Sequence, residues 1–354
     1  MKPRERQKNP TGSEKVTIYD IAEAAGVSIA TVSKVINNRG RVSEQTRERV
    51  LRIIRELNYA PNRITSALGG KSMYTLGLLI PDISNPFYSE IVRGAEDCGR
   101  KWGYNVLICN TDNDTRREMD YLLSLREKRV DGIILATASN TDTRREDLES
   151  LGIPVAFISR EIPGFESIRV IVDNFRGGYL ATRHLIDLGH RNIALFTEPL
   201  NIVTSSERLR GYAEALQEAG IPYRPEWVRP GGFGVESGYR LAEALLRDSH
   251  DPMPTAVFAA NDQLAIGAIQ AFKEAGHSIP EDISVVGFDN TILCTIVDPP
   301  LTTVAQPMYD MGVKVVNLLI EAIQNEGSGS ERIVLEPKLV VRRSTAKPKS
   351  PLPR

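Results

Sequence analysis

Cysteine is scarce in this chain and does not cluster: Cys98, Cys109 and Cys294 are the whole set in 354 residues. An odd, scattered trio with no C-x-x-C spacing excludes a disulfide framework, offers no zinc site and fits a reducing cytoplasm. Histidine is nearly as rare, and His184, His190, His250 and His277 show no metal-ligand spacing. A G-x-S-x-G elbow and a glycine-rich dinucleotide fingerprint are both missing, so no catalytic centre, metal or cofactor is expected. No segment approaches the roughly 18 consecutive apolar residues of a membrane span. The opening MKPRERQKNPTGSEK has no apolar stretch of the kind a secretion signal requires. The chain is expected to be cytoplasmic, neither exported nor membrane-bound.

Charge of either sign is in no excess overall, with a net of −1, but the average conceals an asymmetry. Residues 1–75 carry 14 Lys and Arg against 7 Asp and Glu, and the remainder carries 30 against 38. A small basic head on a larger acidic body is the footprint expected where only the head meets a polyanion. The length is about twice that of a usual single domain, which predicts two or three folding units.

Residues 1–15 mix Pro, Gly, Ser and charge without periodicity and are read as a disordered basic arm. Three short helices follow within 16–60. In TIYDIAEAAG, Ile18, Ile21, Ala22 and Ala25 share one face, Thr17 stands at the N-cap and Gly26 closes the segment. In VSIATVSKVIN, Ser28 caps a helix with Val32, Val35 and Ile36 on its apolar side. The third starts at Ser43 and aligns Val50, Ile53, Ile54 and Leu57. Two helices joined by a glycine turn suggest a helix-turn-helix whose second member, Ser28 to Asn37, enters a DNA major groove. Its outward residues, Ile29, Ala30, Thr31, Ser33, Lys34 and Asn37, are short, hydroxylated, amide-bearing or basic. They suit base edges and phosphates: Lys34 donates to guanine, and Ile29 or Ala30 touches a thymine methyl. No carboxylate interrupts that face. The bland alternative, a helical cap for the body, would need neither the basic surround nor the bare polar face.

From Tyr74 the texture changes. Buried-strand runs (TLGLLI, NVLICN, GIILAT, PVAFIS, NIALFT, TAVFAA, SVVGF) alternate with amphipathic helices such as FYSEIVRGAEDCGRKWG and NDQLAIGAIQAFKEAG. Strict alternation implies parallel sheets covered on both faces, and so many units imply two lobes. A faint echo supports this: Ser89, Glu90, Arg93 and Gly94 recur as Ser206, Glu207, Arg210 and Gly211. The Pro-rich basic end, TAKPKSPLPR, is given no structure.

Between head and body, PNRITSALGGKSMYTLG (Pro61 to Gly77) contains GGKS, the ending of a phosphate loop. That motif needs glycine five residues before Gly70, where Thr65 stands, and should follow a strand rather than precede one. The nucleotide reading therefore fails, leaving a linker or a short helix over ITSAL.

Taken together, VTIYDIAEAAGVSIATVSKVINNRGRVSEQTRERVLRIIRELNYAPNRITSALGGKS closely resembles the head of the lactose/galactose repressor family. The body, with IPDISNPFYSEIVRGAE, DLGHRNIAL, ERLRGYAEAL, AANDQLAIGAI and GFDN before PPLTTVAQP, is similar to that family's effector-binding core. The likeness runs from about Val16 to Arg343. It implies an all-α helix-turn-helix head plus a two-lobed α/β core of periplasmic-binding-protein type with parallel sheets. It also implies a homodimer on palindromic double-stranded operator DNA, and repression controlled by a small effector, a sugar or related metabolite, bound between the lobes.

The expected boundaries are a hinge over 61–72 and a core over 73–343. Lobe one takes 73–172 and 305–325, lobe two takes 173–304 and 326–343, and 344–354 is a disordered tail. The resemblance makes the hinge a helix whose Leu68 wedges into the minor groove, flanked by Asn62 and Arg63. About six residues cannot hold a helix alone in water, so it should form only against a second hinge and DNA. The resemblance also extends the DNA-facing set to Thr17, Tyr19, Ser28, Arg41 and Tyr59.

Ligands of such folds sit beyond the carboxyl ends of strands. That places Asn85, Phe87, Arg160, Asp262 and Asp289 in the pocket from their positions after strands. Arg208, in ERLRG, and Phe233, as a stacking aromatic, follow from the resemblance. Guanidinium and carboxylate groups suit ring hydroxyls, and an aromatic face suits a sugar's apolar side or a purine. One departure stands out: many members carry an acidic residue where this chain has Ser159, next to Arg160, which leans toward a ligand with anionic or carbonyl groups. His190, in the LGHR turn, reads as a helix-end residue favoured by the dipole. Other readings stay open at this point: a regulator answering to a protein corepressor, a metabolite-binding protein without a DNA role, or a sugar-processing enzyme on the same core.

Overall fold

The computed structural model describes residues 16–36, 41–57, 59, 72–137, 144–160, 162, 165–248, 252–325 and 329–349. The expected arm over 1–15, the expected hinge over 61–72 apart from Ser72, and residues 350–354 lie outside them. The chain forms two compact units divided between Met73 and Tyr74.

The first unit holds α1 (Ile18–Ala25), α2 (Ile29–Ile36) and α3 (Glu44–Glu56). Each begins where a side chain meets otherwise unpaired backbone amides. A capping box opens α1: the Thr17 amide and hydroxyl both donate to Asp20 Oδ2 at 2.7 Å. Ser28 Oγ accepts from the Thr31 amide at 3.2 Å, and Ser43 Oγ accepts from that of Thr46 at 3.3 Å. Gly26 adopts the left-handed φ of 61° that ends α1 and turns the chain into α2. The apolar faces close on one another, with Ile21, Val32 and Val50 fully buried.

The second unit is a pair of α/β lobes. Lobe one carries β1 (Thr75–Ile80), α4 (Pro86–Lys101), β2 (Asn105–Asn110), α5 (Thr115–Glu127), β3 (Gly132–Leu135), α6 (Arg144–Ser150), β4 (Val155–Ile158) and β5 (Ile168–Val172). Lobe two carries α7 (Asn174–Asp187), β6 (Ile193–Thr197), α8 (Val203–Glu218), β7 (Val228–Pro230), α9 (Val235–Arg247), β8 (Ala256–Ala259), α10 (Asp262–Glu274), β9 (Ser284–Asp289), α11 (Leu293–Ile296) and β10 (Thr302–Ala305). The chain then returns to lobe one with α12 (Met308–Gln324) and β11 (Arg332–Leu335), and crosses back for β12 (Lys338–Val340).

The sheet orders are β11-β5-β4-β3-β1-β2 and β12-β10-β9-β8-β6-β7. All pairings are parallel except β10 with β12. Strands buried on both faces explain why runs such as GIIL and AVFA are apolar throughout.

Two expected boundaries need correction. Residues 332–335 belong to lobe one, not lobe two, because β11 pairs in parallel with β5 from Arg332 opposite Arg169 to Leu335 opposite Val172. Nor is the stretch from 344 unstructured as far as 349. Ser344 is fully buried, its Oγ donating to the Val285 carbonyl and accepting from the Thr302 amide at 2.8 Å. Prolines remove helix and ladder options, but side-chain bonds of this kind need no ladder, so composition concealed the strap. His190 belongs to the same correction. It is 1% exposed and bonded through Nδ1 to Thr255 Oγ1 and through Nε2 to the Ala346 carbonyl, each at 2.9 Å. Burial pushes its pKa down, so it is a neutral clasp on the strap rather than a cation at a helix end.

The glycine of the echo seen in the sequence has a packing role in both lobes. Gly94 of α4 meets α12 where an added Cβ would overlap the Tyr309 carbonyl oxygen, and Gly312 of α12 meets Ile91 in the same way. In lobe two, Gly211 of α8 abuts the Phe175 carbonyl, and Gly178 of α7 abuts the backbone of Arg208. Each lobe thus lets two helices cross backbone to backbone at reciprocal glycines. Gly312→Ala is expected to destabilise the core by about 3 kcal/mol, since the overlapped atom is backbone and cannot move aside cheaply. A urea midpoint unchanged from wild type would contradict that packing.

Candidate functional sites

On the head, α2 turns Val32 and Val35 inward and leaves Ile29, Ala30 and Lys34 exposed, with Thr31 and Ser33 half-buried beside them. The spacing 29, 30, 33, 34 is one helix face, so the structure brings these expected DNA contacts together. Ile29, 39% exposed with no partner in the head's core, is an apolar residue at liberty to meet a base methyl. Tyr19 is 60% exposed on α1, and Arg41 is exposed ahead of α3. Thr17 and Ser28 are engaged as caps, which leaves Ser28 Oγ also bonded to Thr31 Oγ1 at 2.9 Å. Tyr59 is half-buried against the head's own core. Asn37, Asn62, Arg63 and Leu68 lie outside the described residues.

In the second unit, a cavity of about 270 Å³ opens between the lobes, at the carboxyl ends of strands from both sheets. Six of the seven residues expected there line it: Asn85, Phe87, Arg160, Arg208, Phe233 and Asp289. Asn85 also caps α4, its Oδ1 accepting from the Phe87 amide at 3.0 Å. Asp262 is the exception and is corrected here. It is fully buried beneath the cavity, its carboxylate accepting from the Thr291 amide at 2.7 Å and from Thr303 Oγ1 at 2.6 Å. Its neighbours Asn261 and Gln263 line the wall instead, an offset of one residue that a position after a strand cannot resolve.

Arg208 is 5% exposed. Its Nε donates to Asn174 Oδ1 at 2.9 Å, its Nη1 donates to the Ala260 carbonyl, and its guanidinium lies 3.8 Å from the centre of the Phe288 ring. Glu198 Oε1 stands 3.9 Å from Nη1 and accepts from Asn261 Nδ2 at 2.9 Å. Asp289 is 6% exposed, with Oδ1 accepting from Gln306 Nε2 at 2.7 Å. Burial, then repulsion from Asp262, pushes its pKa well above the ordinary carboxylate value, against the pull of Arg208.

Sequence reasoning missed Tyr88, Glu198 and Asn261. Tyr88 follows Phe87 on α4, and its hydroxyl makes no hydrogen bond to a described residue although the side chain is 8% exposed. No motif signals such a residue. Glu198 follows β6 and was findable by the rule that found Arg160.

Backbone strain gathers at the same place. Among non-glycine residues with left-handed φ, Asp112 (54°), Asn113 (56°), Ser159 (65°) and Asp289 (120°) all line the cavity. Such conformations cost about 1–3 kcal/mol each and persist where a site requires them.

Removing the charge on Asp289 separates stability from binding. A carboxyl whose folded pKa lies above its unfolded value holds more proton when folded, so stability falls as pH rises from about 4 through the folded pKa. Asp289→Asn should raise the melting temperature of the ligand-free core at pH 8 by about 2–4 °C, as for roughly 1 kcal/mol. The advantage should shrink toward pH 5, while effector binding is lost. An advantage that grows with acid would reverse the sign of the argument.

A polar-faced helix in a basic first unit, and a second unit whose cleft lies between two largely parallel sheets, describe the ligand-controlled DNA-binding regulators of bacteria. Comparison with known proteins agrees. Residues 17–62 match the model of bacterial regulatory proteins of the lacI family, and residues 182–345 match a periplasmic binding protein-like domain. The chain is 43% identical over 335 residues to the HTH-type transcriptional regulator DegA of Bacillus subtilis, covering 94% of this chain and 98% of that protein. Among solved structures, the lac repressor dimer bound to operator and an anti-inducer superposes with a TM-score of 0.83 at 32% identity, over 94% of this chain and 100% of that one. A complex of the transcriptional regulator CelR with cellobiose gives 0.72 at 34% identity, over 93% and 100%. The chain belongs to the lacI family of bacterial transcriptional regulators.

Proposed function

We propose that this protein is a homodimeric repressor whose operator affinity is set by a sugar or closely related polyol held between the lobes. The observation that carries the reading is the cleft: Arg208 and Asp289, each nearly buried, converge on one cavity at the strand ends with Asn85, Phe233 and an unbonded Tyr88 hydroxyl. A set of donors and acceptors around an aromatic side chain matches hydroxyls on a ring with one apolar face. Most other charge there is spoken for within the protein. Asp82 accepts from Ser84 Oγ at 2.7 Å, Asp112 is paired with Arg117, and Glu198 is held by Asn261 and Ser205. The cellobiose carried by the related CelR is consistent with a saccharide ligand.

A second copy of the chain would cover apolar side chains that a monomer leaves wet. Leu107 (38%) and Ile108 (46%) are exposed on the edge strand β2, and Ile292 (65%) and Ile296 (72%) are exposed in lobe two. Two heads per dimer suit two operator half-sites. Ligand closure changes operator affinity only by the ligand's preference for one arrangement of the pair over the other. No helix among the described residues is long and apolar enough to cross a membrane, and we place the protein in the cytoplasm with its DNA.

The test is a gel shift on promoter DNA across a salt series, with and without sugars that raise the melting temperature. Binding that weakens steeply with salt and shifts at least tenfold with one sugar supports the reading. DNA binding indifferent to every sugar that binds the cleft would refute it.

A further inference from the structure

A second chamber of about 410 Å³ adjoins the cleft cavity and shares Ser159, Arg160 and Thr204 with it. Its other walls include Ile171, Val334 and Phe175, with Arg332 on the β11 side. The acidic residues that reach this chamber are already committed. Asp173 Oδ1 accepts from the Arg176 amide at 2.8 Å as the cap of α7, and Glu207 takes both oxygens to Arg210 Nη1 at 2.7 and 2.8 Å.

Arg160, at the seam between the two spaces, is half-buried and makes no hydrogen bond or ion pair with any described residue. The left-handed turn at Ser159 (φ 65°), anchored by the Ser159 amide on the Val170 carbonyl at 2.9 Å, delivers it there. Tyr88, more than nine-tenths buried and close enough for the Arg160 charge to act on its hydroxyl, offers a second donor that is also unused. The guanidinium has only hydrogen to give, the phenol hydroxyl beside it can give one as well, and together they suit an acceptor, best a charged one.

Resting on the polyol reading above, we infer that the effector carries an anionic group, a carboxylate or a phosphate, held by Arg160 and Tyr88 at the seam between the cleft and the second chamber. The polyol part then occupies the cavity with Arg208 and Asp289, and the chamber gives the charged end room. A cavity of 270 Å³ alone lies at the small end for ligand sites, and the joined space lies well within the usual range of about 300–1,000 Å³.

Calorimetry on the full-length protein with matched sets (glucose, glucuronate and glucose 6-phosphate; galactose, galacturonate and galactose 6-phosphate) tests this. At least one anionic member should bind ten or more times more tightly than its neutral parent, with an advantage that narrows in high salt. The arm that wins, uronate or phosphate, identifies the group. Arg160→Gln should cut that advantage below threefold, and Tyr88→Phe, which preserves the ring, should cut it in part. A circular dichroism spectrum and a ligand-free melting temperature close to those of the wild type report that each variant is folded. Neutral sugars binding as tightly as their anionic partners, or an advantage unchanged in Arg160→Gln, would overturn the inference. If no member of either set binds, the polyol reading itself falls and takes this one with it.

Discussion

Arg208→Ala is expected to abolish the ligand response, with sugar affinity falling at least a hundredfold and no ligand-dependent change in operator binding. The side chain is 5% exposed and already fixed by Asn174 Oδ1, the Ala260 carbonyl and the Phe288 ring. It therefore presents its remaining donors without further ordering cost, and losing a charged hydrogen-bonding fork from a buried site costs several kcal/mol of binding. The core should also lose about 3 kcal/mol, because Glu198 would keep a buried charge with its guanidinium neighbour gone. Arg208→Lys separates the two effects, retaining charge but not the fork: stability should return in part and the ligand response should not. Thermal shift with the cognate sugar reads one effect and a urea titration the other. A wild-type ligand shift in Arg208→Ala would remove this residue from the site.

Ala30→Glu is expected to reduce operator affinity at least a hundredfold, about 3 kcal/mol, without unfolding the head. Ala30 is exposed on the face of α2 opposite Val32 and Val35, so a longer side chain meets no packing. Glutamate there would point a carboxylate at base edges and phosphates, with like charge opposed across a short gap. Ala30→Gln, of similar size and neutral, should cost far less. Fluorescence anisotropy with operator DNA measures both, and circular dichroism checks that helicity is unchanged. Equal affinity for the two variants would mean that α2 does not face the DNA.

The architecture was largely legible because its signals are local and repeated. Apolar runs such as TLGLLI and TAVFAA announce strands covered on both sides. Ser28 and Ser43 announce helix starts that the structure realises with cap bonds. What escaped depends on contacts distant in sequence. Nothing in RIVL distinguishes pairing with β5 from pairing in the other sheet: Ile333 and Leu335 pack on the lobe-one core while Val334 faces outward, and three apolar residues in a row hide that alternation. The strap over 344–349 has no period at all, yet Ser344 and Ala346 are bonded to Val285, Ser284 and His190 more than fifty residues away. In the cleft, a position just after a strand located Asn85, Arg160 and Asp289. It failed for Asp262, where α10 begins so tightly that its first side chain turns under the floor.

The three passages between lobes, after β5, between β10 and α12, and between β11 and β12, have a mechanical consequence. Any opening or closing must bend all three strings at once, so the lobes swing as solid jaws rather than deforming singly. Two of those strings also grip the groups proposed above to meet the ligand. Asn174, one residue past the first crossing, holds Arg208 while its Nδ2 donates to the Val172 carbonyl at 3.0 Å, and Gln306, inside the second, holds Asp289. On the proposed site, a ligand that tugs on either charge would pull directly on the pivot, converting occupancy to rotation at the axle rather than relaying it through the body of either jaw.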